Sequence, residues 1–168
     1  FSDSFEILLD NDGSNDSTWR KVCEAADKDS RVRGVNLSRN YGHQIALTAG
    51  LECSKGEWVF VIDADLQDPP ELFPAMLSLA KEEKAAVVYG KRKQRSGETR
   101  FKRLSAHLFY RLLNMLSEID MPTDVGDFRL LRRDVVDALN AMKEPFRYIR
   151  GMVTWVGFTQ LPFEYERD

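Results

Sequence analysis

Short apolar runs alternate along this chain with stretches of helical periodicity. Phe5 to Leu9 is an apolar run stopped by Asp10, Asn11, Asp12 and Gly13, the pattern of a buried strand ending in a polar turn. Ser14 to Ser17 can cap a helix running to about Asp27. Val32 to Leu37 predicts a second strand, His43 to Cys53 a helix, and Trp58 to Ile62 a third strand. Pro70 to Glu83 predicts the next helix and Ala85 to Tyr89 a fourth strand. Strands alternating with helices of about ten to fourteen residues imply βαβ units and a mostly parallel central sheet. The class is α/β.

After Tyr89 the pattern changes. Phe101, Leu104, Leu108, Leu112, Met115 and Ile119 fall at helical spacing, as expected of a long helix packed on a core. A turn follows at Pro122 to Gly126, a strand at Phe128 to Leu131 and a helix at Arg133 to Met142. The 168 residues suffice for one domain, and 43% apolar with 30% charged residues excludes a disordered or fibrous chain.

With 24 basic and 27 acidic side chains the net charge is −3, which argues against a protein that coats nucleic acid with a broad basic face. The charge is nonetheless segregated. Lys91, Arg92, Lys93, Arg95, Arg100, Lys102 and Arg103 stand against the single acid Glu98, a local charge of +6 that reads as a solvated loop or as an anion site. Cys23 and Cys53 have neither metal-ligand nor disulfide-framework spacing, which fits a reducing compartment. The central apolar run Trp58 to Ile62 is far short of the roughly 20 residues that span a bilayer. The abrupt start at Phe1 suggests a domain cut from something longer.

In an open α/β sheet, ligands sit beyond the carboxyl ends of the strands. Here those ends are acidic: Asp10, Asn11 and Asp12 after the first strand, and Asp63, Ala64 and Asp65 after the third. Alternate residues leaving a strand share a side, so Asp63, Asp65 and Gln67 can offer oxygen ligands to one cation. An all-oxygen set favours Mg²⁺ or Mn²⁺, which also take substrate phosphates as ligands, and so points to a nucleotide diphosphate. For Asp68 and Glu71, capping of the next helix is an equal alternative. The cluster Asp10 to Asp16 fails as a calcium loop, because Leu8 and Trp19 would occupy ligand positions. A single carboxylate at a strand end can instead accept the ring NH of a base, with Asp12 the candidate. His43 opens the second helix, whose free NH groups can hold an anion; a structural histidine is the bland alternative.

Four stretches together resemble family 2 glycosyltransferases of the GT-A fold: Asn11 to Asp16, Leu37 to Gln44 with Ala46 to Leu51, Asp63 to Glu71, and Gly126 to Leu130. Within that family the chain is most similar to the polyprenyl-phosphate group, the bactoprenol glucosyltransferases and dolichol-phosphate mannose synthases. The resemblance implies inverting transfer of a hexose from a nucleotide-sugar, UDP-glucose foremost, to a polyprenyl phosphate at the cytoplasmic face of a membrane. It implies that Asp12 contacts the base and Asp63 the ribose or the metal, with Gly42 and His43 also beside the nucleotide. Asp65 and Gln67 would hold the Mg²⁺ or Mn²⁺. Arg92, Arg129 and Arg150 would face phosphate oxygens, and Asp127 stands where many members keep a catalytic base.

The family's usual opening strand, with its Pro-x-Tyr-Asn-Glu-Glu type ending, is absent, as are membrane helices beyond Asp168. Residues 1–168 are therefore expected to be a fragment of a single catalytic domain, attached to the membrane by segments outside it and with a homo-oligomer possible in the parent. Trp155, Phe158, Phe163 and Tyr165, mixed with Arg147, Arg150 and Arg167, are candidates for the membrane interface or for ordinary core packing. Two other readings stand beside this one: a GDP-mannose-dependent transferase, and a non-catalytic nucleotide-binding scaffold.

Overall fold

The computed structural model describes residues 4–65, 67–92 and 125–166. The expected helix over Phe101 to Ile119, and Lys93, Arg95, Arg100, Lys102, Arg103 and Arg167, lie outside the described residues. β1 (Ile7–Asn11) and β2 (Val32–Asn36) form a parallel pair joined by α1 (Thr18–Lys28). β1 runs two residues further than its apolar stretch predicts because Asp10 and Asn11 pair with Val35 and Asn36. The Asn11 amide also donates to the Asn36 side chain at 2.7 Å. α1 begins where the Asp16 carboxylate accepts the Thr18 N–H at 2.9 Å, as its polar approach predicts.

α2 (His43–Cys53) leads to the second sheet, in which β3 (Trp58–Val61), β4 (Val87–Arg92), β5 (Val125–Arg132) and β6 (Gln160–Tyr165) take the order β3-β5-β4-β6. β5 is antiparallel to both β3 and β4, while β6 is parallel to β4. Hence β3, β4 and β6 run one way and β5 alone runs the other. The parallel sense expected from the βαβ pattern holds for those three strands, but the ladders themselves are mixed, because β5 inserts between its neighbours.

Between β3 and β4 the expected single helix is divided. Pro70–Leu72 is a 3₁₀ turn, and α3 (Phe73–Glu82) begins after it with Pro74 in its first turn. Proline lacks an N–H and suits only the first turn of an α-helix, so the regular hydrogen bonding starts at Phe73. α4 (Arg133–Ala141) follows β5 directly, and α5 (Ile149–Trp155) precedes β6.

Strand alternation sends successive residues to opposite faces of the sheet. Val61, Val87 and Leu131 pack with Leu51 of α2, Val135 and Leu139 of α4, and Val153 of α5. Val88, Leu130 and Phe128 pack on the other face with Met76 and Ala80 of α3 and with Tyr165. Two buried clusters thus clamp the sheet from both sides and hold its strand ends in place.

Candidate active site

Because β3, β4 and β6 run together, their carboxyl ends share one rim, and β5 starts there. The loop after β3 brings Asp63, Asp65 and Gln67 to that rim, all exposed. The Asp65 carboxylate accepts the Gln67 N–H at 3.0 Å, which curls the loop.

Asp68 does not belong with them. It is 2% exposed, accepts a hydrogen bond from the Tyr165 hydroxyl at the end of β6, and lies 3.4 Å from the Arg92 guanidinium at the end of β4. Arg92 Nε also donates to the Tyr165 oxygen at 3.3 Å. Burial and the bond to Asp68 both raise the Tyr165 phenol, which keeps it protonated as the donor. This network ties the acidic loop to two strand ends. Its carboxylate is visible in the sequence, but its partner lies beyond every motif.

A second network centres on Asp127, itself 3% exposed. Arg150 of α5 grips it bidentately, Nε to Oδ1 at 2.9 Å and Nη2 to Oδ2 at 2.9 Å. His43 Nε2, at the start of α2, lies 2.8 Å from Oδ2, and Arg129 Nη2 lies 3.7 Å from Oδ1. Burial pushes the Asp127 carboxyl up. The bonds from Arg150 and His43 and the charges of Arg150 and Arg129 outweigh it and hold the group below the usual carboxylate range. Asp127 is therefore ionised at neutral pH with its oxygens already engaged.

Burial pulls Arg129 down to about 10, still charged at neutral pH, and its Nη2 donates to the Gly126 carbonyl at 2.8 Å. Its buried Nε has no hydrogen-bond partner among the described residues. The Arg150 guanidinium is raised first by its bonds to Asp127, and the charge of Asp63 on the acidic loop adds a weaker contribution. The two networks meet where Gly126 lies against Arg92.

Asp12 joins the same rim through backbone. Its Oδ1 accepts the Tyr41 N–H at 2.7 Å and its Oδ2 the Gly42 N–H at 2.9 Å, fastening the loop that delivers His43. A continuous chain of contacts thus runs from Asp12 through Gly42, His43 and Asp127 to Arg150. Gln44 plays a packing part, its side-chain oxygen accepting the Ile149 N–H at 2.8 Å.

The aromatic residues near the end divide between the two alternatives, with core packing taking most of them. Tyr165 is buried, Phe158 and Phe163 pack against the two core clusters, and Trp155 is exposed. Phe146, which its sequence context does not single out, is the most exposed large apolar residue described, at 94%.

Among the described residues no three His, Cys, Asp or Glu side chains gather to hold a metal ion. Asp63, Asp65 and Gln67 nevertheless form an exposed, all-oxygen donor set on one short loop. Such a set suits a hard cation that completes its shell with waters and substrate oxygens. Asp68, committed to Tyr165 and Arg92, adds nothing to that set.

Residues 1–139 match the profile of the family described as glycosyl transferase family 2. The chain belongs to that family. It is 48% identical over 166 residues to the glycosyltransferase YkcC of Bacillus subtilis, covering 99% of this chain and 51% of that protein. It is 39% identical over 162 residues to the prophage bactoprenol glucosyl transferase homolog of Escherichia coli, covering 96% of this chain and 53% of that protein. The chain thus spans about half the length of the curated relatives it matches. Among solved structures, the mannosyltransferase PcManGT of Pyrobaculum calidifontis, in complex with GDP-Man and Mn²⁺, superposes with a TM-score of 0.62 at 17% identity. It covers 95% of this chain and 45% of that one. The fold is that of the GT-A glycosyltransferases. No helix among the described residues is long and apolar enough to cross a membrane.

Proposed function

We propose that residues 1–168 are the catalytic domain of an inverting glycosyltransferase that moves a hexose from a nucleotide-sugar, UDP-glucose, to a polyprenyl phosphate. The observation that carries this reading is the linked rim, on which an exposed acidic loop sits beside a cluster of buried and half-buried arginines. The name of the Escherichia coli relative, which matches nearly the whole chain, supports the lipid acceptor and the glucosyl group. Since the acceptor is a membrane lipid, the protein works at the membrane, on the cytoplasmic side where nucleotide-sugars are made.

In the reaction a phosphate oxygen of the acceptor attacks the anomeric carbon of the sugar. The bond from that carbon to the diphosphate breaks, and the nucleoside diphosphate leaves with the electron pair. An ionised phosphate is already a competent nucleophile, so no proton has to be removed. The larger task is to bring two polyanions together. Arg92, Arg129 and Arg150 supply positive charge for it, and Asp12 with Gly42 and His43 lines the side of the rim assigned to the nucleotide. Asp63, Asp65 and Gln67 would hold a Mg²⁺ or Mn²⁺, which supplies charge neutralisation to the leaving diphosphate.

Calorimetric titration with UDP, GDP and Mn²⁺ tests the reading. UDP should bind more tightly with Mn²⁺ present, and Asp65→Ala should abolish that dependence while the fold survives. Retained Mn²⁺-dependent affinity in Asp65→Ala would show the ligand assignment to be wrong. Preference for GDP would favour the mannosyl reading. Binding of neither nucleotide would remove the enzyme reading.

A further inference from the structure

Asp127 holds the position in which a general base is expected, yet its surroundings are those of an anchor. We infer that Asp127 is a positioning residue that holds His43 and Arg150 as a paired set of donors for a substrate phosphate. This deepens the proposed function and rests on its anionic donor and acceptor.

The Asp127 side chain is 2% exposed, whereas those of Arg150 and His43 are 39% and 52% exposed. The carboxylate is thus the buried back of the site and the two donors are its open front. A guanidinium has five N–H donors, and Arg150 spends two on Asp127, leaving others for solvent or ligand. The ring nitrogen of His43 that meets the ionised carboxylate, Nε2, must carry a proton to bond it. Nδ1 is then the atom left for a ligand, and it donates to a phosphate oxygen when the ring is protonated.

Charge points the same way. Asp127 contributes −1 against Arg129 and Arg150, so the cluster is positive before His43 is counted. A carboxylate tied by this many donors is a poor proton acceptor, but it fixes the planes of both the guanidinium and the imidazole, as bidentate pairing does wherever carboxylates orient arginine. The cluster sits at the start of β5, on the rim where β3 ends and the acidic loop begins, so the phosphate it takes is either the diphosphate of the donor or the single phosphate of the acceptor.

The experiment combines kinetics with imidazole ¹⁵N NMR, which is simple here because the chain has two histidines, His43 and His107. In the parent protein His43 Nε2 should appear protonated, and its Nδ1 signal should move on adding UDP with Mg²⁺ or on adding farnesyl phosphate. Whichever probe moves it identifies the phosphate. Asp127→Asn should alter the His43 signal and raise KM for that substrate roughly tenfold or more, with a smaller change in kcat. Asp127→Glu should recover part of the loss.

A general base would behave otherwise. Its removal would lower kcat by about 10²–10⁴ at unchanged KM and abolish the acidic limb of the pH profile, and that result overturns the inference. Should Asp127→Asn fail to fold, His43→Gln and Arg150→Lys are expected to raise KM for the same substrate, and unchanged KM in both overturns it. A parent protein that transfers no sugar would refute the proposed function alone. The NMR titration would still judge the cradle, which is wrong if neither probe moves His43.

Discussion

Tyr165→Phe removes one hydroxyl and leaves the ring in place. That hydroxyl donates to Asp68, whose side chain is 3% exposed, so water cannot readily replace it. Among its other partners Arg92 stands at 3.4 Å with its side chain 40% exposed, a long contact that recovers little. A hydrogen bond to a charged group is worth about 1.5–3 kcal/mol, so the variant should lose about 2 kcal/mol of stability. For a domain of this size that corresponds to a fall in Tm of roughly 4–8 °C. Urea denaturation of the parent, Tyr165→Phe, Asp68→Asn and the double variant would give the coupling directly, expected at about 1–3 kcal/mol. Because the network secures the loop bearing Asp63 and Asp65, Mn²⁺-dependent UDP binding should weaken in Tyr165→Phe as well. A stability change below about 0.5 kcal/mol, the level of an ordinary surface substitution, would refute the claim that this network holds the rim together.

Asp10 gives a pH test. Its carboxyl tip is pressed against α2 at Gly50, where a Cβ would lie 2.0 Å from Oδ2, and desolvation of that tip raises its pKa to about 6 although the residue as a whole is exposed. The neutral form is favoured in the folded state, so this contribution to stability is full below about pH 4 and is lost as pH rises through 6. Asp10→Asn should therefore match the parent in Tm at pH 4 and exceed it at pH 8, and parallel Tm curves would contradict this. Gly13 has a φ of 65°, and a Cβ there would lie 2.2 Å from the Arg39 backbone. Gly13→Ala should cost about 2 kcal/mol or more in chemical denaturation and loosen the loop held by Asp12; unchanged stability would be inconsistent with that contact.

Much of this molecule is readable from local pattern, and what is not has a common cause. α2 occupies the residues that periodicity predicts, and the acids after β1 and β3 do end strands. β6 escapes a pattern reading because Pro162 interrupts it. The strand tolerates that proline at the sheet edge, where β6 pairs with β4 alone among the described strands. β4 starts two residues later and ends three later than its apolar run, since its polar end, Lys91 and Arg92, is held by pairing with β6. In the site, each motif is visible alone but their meeting is not. His43 and Asp127 are 84 residues apart, and Asp68 and Tyr165 are 97 apart. Side-chain periodicity carries no information about contacts at such separations. Asp127 and Arg129 can be read as an isolated ion pair from their spacing, while the clamp by Arg150 and His43 requires α5 and α2 to be in place.

The lone reversed strand has a consequence for biogenesis. Val61 meets Arg129 and Trp58 meets Arg132, so among the described strands β3 pairs with β5 alone, which follows it only after β4. Among the described strands, β1 and β2 can zip together early on the ribosome, whereas the edge of β3 that faces β5 stays unpaired until β5 emerges. Until then its free edge is a template for mispairing with other nascent chains. A message truncated before Val125 should thus yield an insoluble product, while one extending past β5 should not.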